Sequence, residues 1–125
     1  MPSIRDIAIT TYPLATLADK QSNGTAEVTL FPAPGSNRRL RIVSLHATAK
    51  AANGQETVIF RNGASGATFY SFLLPTYAVG LRADRDQYFG PKGPVLTANV
   101  ALMASIVAGT TGVQLGACVQ VEDVV

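Results

Sequence analysis

The sequence is poor in charged residues, in cysteine and in histidine. Charged residues make up 14% of its 125 residues, against about 25% in an average soluble domain. Ten Lys and Arg stand against eight Asp and Glu, so the formal net charge is only +2, too little to predict nucleic-acid binding. A surface with few charges is typical of subunit contacts, and equally of a compact β domain with Ser, Thr, Asn and Gly on its outer face.

A single cysteine, Cys118, excludes an internal disulfide and a cysteine-based metal site. It lies in VQLGACVQV, which predicts a strand, so we expect a small packed side chain. The N-terminal segment has no apolar run flanked by basic residues, so no secretory signal is predicted. The longest apolar stretch, VLTANVALMASIVAG, is interrupted by polar residues and is too short for a transmembrane helix.

A catalytic site is not predicted, because the residue types that enzymes need are scarce. His46 is the only histidine, and its position within a predicted strand favours a surface role. A dyad of His46 with Cys118 would need a cleft and a third, orienting group. Neither a Walker A loop nor a helix-opening G-x-G-x-x-G is present. We therefore expect no enzyme activity, no catalytic residue, no cofactor site and no metal site.

The acidic residues that lie close together form two pairs, Asp84 with Asp86 and Glu122 with Asp123. Calcium takes six to eight oxygen ligands, which is more than either pair offers. Arg82 and Arg85 neutralise the first pair, and the sequence ADRDQ therefore predicts a salt-bridge cluster in a loop.

Three arginines, Arg38, Arg39 and Arg41, lie close together at the start of a predicted strand. Such a group can contact phosphate or an acidic protein patch, but it more often forms a solvated strand entry that keeps an edge from pairing. We favour the second interpretation. Aromatic residues lie around Arg61, as in nucleic-acid stacking platforms. Their alternation divides them between opposite faces, which favours core packing of Phe60, Phe69, Tyr70 and Phe72.

Residues 39–50, RLRIVSLHATAK, show the clearest strand pattern. Alternation with a period of two is typical of a strand with one buried face. The pattern predicts one face with Val43, Leu45, Ala47 and Ala49, and the opposite face with Ile42, Ser44, His46, Thr48 and Lys50.

Further strands are predicted at residues 26–31, 56–61, 67–74, 79–83, 95–105 and 113–125, with turns at Asn53-Gly54, Asn62-Gly63 and 108–112. The predicted inward residues of 95–105 are Leu96, Ala98, Val100 and Leu102, although a helix over 95–108 is the alternative. Those of the last strand are Leu115, Ala117, Val119 and Val121.

About eight short strands with a turn roughly every ten residues predict an all-β fold, an antiparallel β-sandwich of jelly-roll type. Residues 25–125 form this domain. Residues 1–24 are predicted to be an extended N-terminal arm that contacts a neighbouring chain or a shell, because Pro13 and a turn-rich end separate it from the sandwich.

Residues 56–75, ETVIFRNGASGATFYSFLLP, resemble small β-sandwich virion proteins of tailed bacteriophages. Members of that group carry a strand, an R/D-N/D-G turn, an "ASG" step and a second strand that ends in a turn with proline. The preceding strand with small residues and the later strand–Gly–strand ending are similar too, so the resemblance covers about residues 38–121. The sequence departs from shorter members in its longer arm and in PAPGSNRR.

The resemblance implies a capsid decoration or cement protein, which stabilises the phage head from outside by bridging subunits of the major capsid protein. Such proteins are commonly homotrimers and carry no catalytic residues, so no site residue is transferred. It implies a location on the virion surface after synthesis in the host cytoplasm, with no nucleic-acid or membrane partner. The alternative function is a receptor- or carbohydrate-binding module of a tail or fibre, which an exposed Tyr70, Tyr77 or Tyr88 would favour.

Overall fold

A computed structural model describes residues 16–22, 25–49, 56–74, 83–107 and 113–124. Within these ranges the chain forms strands and one short 3-10 turn, and no α-helix. The strands are β1 (Thr16–Ser22), β2 (Val28–Phe31), β3 (Arg38–Ala49), β4 (Glu56–Asn62), β5 (Ala67–Leu74), β6 (Ala83–Tyr88), β7 (Leu102–Ile106) and β8 (Val113–Asp123), with the 3-10 turn at Gly90–Lys92. The predicted all-β class is confirmed.

The eight strands form two four-stranded antiparallel sheets. Sheet 1 has the order β1-β8-β3-β6 and sheet 2 has the order β2-β7-β4-β5. Each strand pairs with its counterpart counted from the other end of the series: β1 with β8, β2 with β7, β3 with β6, and β4 with β5. This is the strand order of a jelly roll, in which one long antiparallel hairpin is rolled into two facing sheets.

The core lies between the two sheets and consists of aliphatic side chains around one aromatic pair. Phe60 on β4 is fully buried and meets Phe72 edge to face, with ring centroids 5.6 Å apart. The edge-to-face arrangement is the favoured geometry for aromatic pairs. The largest aliphatic residues of the core are Leu40, Ile42, Leu45, Leu74, Leu102, Ile106 and Leu115.

A β-bulge corrects the predicted faces of β3. The pairing with β8 shifts between Ile42 and Ser44, so one extra residue reverses the alternation at this point. Ile42 is therefore fully buried, whereas Val43 is only half-buried, the opposite of the prediction. After the bulge the prediction is right, because Leu45, Ala47 and Ala49 all face the core.

Of the strand predicted at residues 95–105, only the C-terminal part forms, as β7 (Leu102–Ile106). Leu96 and Leu102 are buried as predicted, but Ala98 is exposed and Val100 half-buried. Residues 94–96 instead run beside β3, where the Leu96 amide donates to the Leu40 carbonyl at 2.9 Å. Asn99 then turns the chain with a φ of 55°. No helix forms over the described residues 95–107, so the helical alternative is wrong there.

Two strands lie where the sequence did not predict them. β6 occupies ADRDQY, which was predicted to be a loop, because an edge strand with little apolar content gives no alternation signal. β1 falls within the predicted arm 1–24, and it pairs with β8 along its whole length. The rest of that arm, the Asn53-Gly54 turn, residues 79–82 and the 108–112 turn lie outside the described residues.

Candidate functional site

The two residues considered for a catalytic dyad lie on neighbouring strands of sheet 1. His46 on β3 is opposite Gly116 on β8, and Ser44 is opposite Cys118. His46 and Cys118 are therefore diagonal neighbours on the outer face, a relation in which Cα atoms are about 7–8 Å apart. Among the described residues, no group of three or more His, Cys, Asp or Glu side chains is arranged to hold a metal ion.

The segment ADRDQ, predicted to be a loop with a salt-bridge cluster, is part of strand β6. Asp84 accepts a hydrogen bond from the Thr48 hydroxyl at 2.7 Å, across the β3–β6 pair. Arg85 points the other way and its Nε donates to the carbonyl of Leu73 on β5 at 3.0 Å. Because successive strand residues face opposite sides of a sheet, Arg85 lies on the other face from Asp84 and Asp86. The predicted partner Arg82 lies outside the described residues.

The three clustered arginines are bound to acidic residues of the neighbouring strand. Glu122 on β8 is directly opposite Arg39 on β3, and its side chain is only 2% exposed. Its carboxylate accepts hydrogen bonds from Arg39 Nε at 2.6 Å and from Arg41 Nε and Nη2 at 2.8 and 2.9 Å. Arg38 and Asp123 form a second, exposed pair at 3.6 Å.

This Arg–Glu cluster also fixes the ionisation state of its carboxylate. Burial raises the pKa of Glu122 by disfavouring the charged form, but the hydrogen bonds and positive charges of Arg41 and Arg39 outweigh burial. The pKa therefore lies below its ordinary value of 4.5. Arg41 Nη1 also donates to the carbonyl of Gly93 at 2.8 Å, so the cluster ties β3, β8 and the 3-10 turn region together.

The cluster differs from the predicted solvated strand entry. β3 is a central strand, flanked by β8 on one side and by β6 and residues 94–96 on the other. Sequence reasoning did not find Glu122 as a buried partner. The available signal was the pair of opposite-charge runs, Arg38–Arg41 and Glu122–Asp123, at the start of one strand and the end of another.

The turn that carries the virion-protein resemblance is fixed by contacts to distant segments. Asn62 and Thr97 exchange two hydrogen bonds, at 2.9 and 3.1 Å. The Gly63 amide donates to the Ala101 carbonyl at 2.9 Å, and the Ser65 amide donates to Glu27 at 2.9 Å. Gly63 has a φ of 90°, which suits glycine. These polar groups hold the turn in place, so the motif is structural.

The aromatic residues near Arg61 belong to the core, as predicted. Tyr70 contacts both Phe72 and Phe89 edge to face, with ring centroids 5.3 Å apart in each pair. The Tyr70 hydroxyl donates to Gln87 Oε1 at 3.0 Å, which links β5 to β6 across the open side of the sandwich. Arg61 lies on the opposite face of β4 from Phe60, so the rings and the guanidinium form no stacking platform.

Exposed large apolar side chains are the surface feature that the sequence did not reveal. Leu73 is 46% and Val107 57% exposed, and both lie on the outer face of sheet 2. Tyr88 is 72% exposed and Val95 39%, and both lie on the side of sheet 1 near the 3-10 turn. Tyr77, a predicted candidate for ligand contact, lies outside the described residues.

No protein-family profile matches this chain, and no curated protein sequence matches it. Solved structures do resemble it. Tobacco streak virus coat protein has 11% identity and a TM-score of 0.46, with 90% of this chain and 88% of that chain covered. The protein in the virus-like particle of the extra small virus of the prawn Macrobrachium rosenbergii has 16% identity and a TM-score of 0.44, with 97% of this chain and 85% of that chain covered.

A third resemblance is to a protein of the Bacillus endospore appendages, which form disulfide-linked pili. Its identity is 11% and its TM-score 0.41, with 89% of this chain and 86% of that chain covered. All three are distant likenesses with TM-scores below 0.5, and from them neither a role nor a partner transfers to this chain. Separately, the described part of the chain contains no helix long and apolar enough to cross a membrane.

Proposed function

We propose that this protein is a non-enzymatic structural component of a virion, a decoration protein that binds the outside of a phage head and stabilises it. The observation that carries the proposal is the jelly-roll strand order, with β1 paired to β8 and each inner strand paired in the same nested way. Jelly rolls recur in capsid and lectin domains. The resemblance of residues 56–75 to virion proteins favours a capsid role over a lectin role.

The use of polar groups within the molecule supports the same proposal. The hydrogen bonds of the Arg–Glu cluster and of the Asn62–Thr97 pair join segments of the same chain and so stabilise the fold. The exposed side chains that remain on sheet 2 include Leu73 and Val107, which suit contact with another protein surface. A protein that holds surfaces together needs contact area and a closed fold, and it needs no active site.

The proposed mechanism is bridging of neighbouring subunits of the major capsid protein. Each copy contributes weak contacts, and assembly into a homotrimer, which we also propose, multiplies them by raising the effective concentration of the remaining sites. The protein would act on the virion surface after synthesis in the host cytoplasm, without a cofactor and without a nucleic-acid or membrane partner.

Two measurements test this function. Antibodies against this chain, detected by immunogold electron microscopy on particles from its natural source, should label the outside of heads. Purified protein should sediment with expanded empty heads and raise the temperature at which these shells dissociate. Unlabelled particles, or a protein that never sediments with heads, would contradict the proposal.

A carbohydrate- or receptor-binding module is the second candidate, and Tyr88 is the observation that favours it. The residue is 72% exposed at the end of an edge strand, and exposed aromatic rings are suited to stacking on sugars and other ligands. A glycan array with the wild type and Tyr88→Ala separates the candidates. Binding that the substitution abolishes would support the module, and silence of the wild type would exclude it.

A further inference from the structure

The outer face of sheet 2 is almost free of charge. The register places ten described side chains on it, namely Thr29, Thr57, Ile59, Arg61, Thr68, Ser71, Leu73, Met103, Ser105 and Val107. Of these ten, Arg61 is the only charged one, and it lies at one end of the face. Its Nε is 4.0 Å from Glu27 Oε2, so its charge has a counter-ion beside the face.

This absence of charge restricts what can cover the face. A charged group placed against it would lose hydration without gaining an opposite charge. A second copy of the same face brings only uncharged aliphatic, thioether and hydroxyl side chains, together with Arg61, whose counter-ion Glu27 is 4.0 Å away in its own copy. Among possible occupants, another copy of this chain is therefore electrostatically matched.

The shape of the face is also complementary to that of a second copy, because it has protruding side chains at one end and a recessed one toward the other. Leu73 and Val107 flank Thr57 at one end and are about half exposed. Met103, toward the other end, is only 8% exposed, and its Sδ accepts a hydrogen bond from the Thr29 hydroxyl. A two-fold axis that lies in the plane of the contact and crosses the strands near Ile59 superposes the opposite ends of each strand, so the protruding Val107 of one copy lies over the recessed Met103 of the other.

The size of the face sets the strength of this contact. Four strands spaced about 4.8 Å apart, with a rise of about 3.3 Å per residue, give a footprint of roughly 20 Å by 20 Å. This is roughly 400 Å² per copy, about half of what a stable interface buries on each partner. The contact should therefore be weak and dependent on protein concentration, and it becomes populated where copies are crowded.

We infer that the outer face of sheet 2 is a two-fold, face-to-face contact between copies of this chain. The inference goes beyond the proposed function and does not require it, because it concerns the isolated protein. A two-fold contact produces even copy numbers: a pair of single chains, or six copies when it joins two of the proposed trimers.

Sedimentation velocity of the full chain over a range of concentrations tests the contact. The wild type should show reversible association into even multiples of its basic unit. Leu73→Glu combined with Val107→Glu places charges in the centre of the contact and should weaken association at least tenfold. The milder pair Leu73→Asn with Val107→Thr should have a smaller effect in the same direction. Tyr88→Glu is the matched control, since it places a charge at an exposed position of sheet 1. This variant should associate like the wild type.

Thermal melting of each variant separates loss of contact from loss of fold, because side chains that are half exposed already should tolerate polar replacements. A wild type that does not associate up to about 1 mM, or a trimer whose mass no variant changes, would overturn the inference and leave the proposed function standing. Variants that keep the wild-type mass but no longer bind heads would show that a capsid protein covers this face, which also overturns it.

Discussion

The Arg–Glu cluster of sheet 1 and the outer face of sheet 2 are opposites. The cluster is conspicuous in the sequence because three arginines stand within four residues, yet in the fold its groups are bound to one another. The outer face of sheet 2 comes from strands that look like ordinary core segments, yet it leaves Leu73 and Val107 half exposed. Conspicuous charge here maintains the fold, and inconspicuous aliphatic residues supply the available surface.

The largest expected effect is at Gly93, where the backbone beside the cluster passes close to β3. A Cβ at this position would lie 1.8 Å from the Ile42 carbonyl oxygen, so Gly93→Ala must separate residues 93–96 from β3. We expect a loss of at least about 3 kcal/mol in the free energy of unfolding, measured by chemical denaturation.

Gly35→Ala is the matched control for Gly93→Ala. Gly35 has a φ of 109°, but a Cβ there meets nothing within 4 Å. Its cost should be limited to backbone strain of about 1–2 kcal/mol. Equal losses in the two variants would show that the close approach of Gly93 to β3 does not contribute to the stability of the fold.

Removal of the buried carboxylate should have the next largest effect. Glu122→Ala leaves Arg39 and Arg41 without their shared partner, and fully buried pairs lose about 3–5 kcal/mol in this situation. Because both arginines are partly exposed and can be rehydrated, we expect about 2 kcal/mol. Asp123→Ala, which removes only the exposed pair with Arg38, should cost less than about 1 kcal/mol. A smaller loss for Glu122→Ala than for Asp123→Ala would contradict the cluster's role.

The same cluster predicts a dependence of stability on pH. The pKa of Glu122 is lower in the folded chain than its ordinary value of 4.5, so its contribution is complete above about pH 4.5 and is lost as the pH falls through the folded pKa. Denaturation curves below pH 5 should therefore show a decline that is shallower in Glu122→Gln. Parallel declines in both proteins would assign the acid sensitivity to other groups.

The smallest expected effect concerns the exposed face. Leu73→Ser and Val107→Thr should each change the free energy of unfolding by about 1 kcal/mol or less, because roughly half of each side chain is already in contact with water. Leu102→Ala, on the inner face of the same sheet, should cost about 2–5 kcal/mol and serves as the contrast. A comparable loss at Leu73 would mean that this residue belongs to the core and is not free for contact.

Much of the fold was predictable because its core strands alternate regularly. β5 has the predicted bounds, and Leu115, Ala117 and Val119 on β8 all face the core. The bulge at Val43 was not predictable, since one extra residue changes the faces without changing the composition. Nor was β6, whose apolar content is low because Asp84 and Asp86 face solvent on an edge strand.

Sequence reasoning was less successful with the surface. It identified the arginine cluster but not its buried partner, because the Arg39–Glu122 contact joins residues that are distant in the chain and depends on the β3–β8 register. It did not separate Leu73 and Val107 from core residues, because exposure of an aliphatic side chain depends on which face of the sheet it occupies and on what lies above it.

The nested pairing of the strands has a consequence for the order of folding. The β4–β5 hairpin closes through a turn of a few residues, whereas β1 and β8 must find each other across most of the chain. Loop closure becomes more costly with each outer pair, and such topologies fold slowly. The hairpin that includes half of the exposed face can thus form early, while β8, the central partner of sheet 1, is synthesised last. Until β8 arrives, β3 has an unpaired edge, and a nascent chain is at that stage most prone to pair with its neighbours.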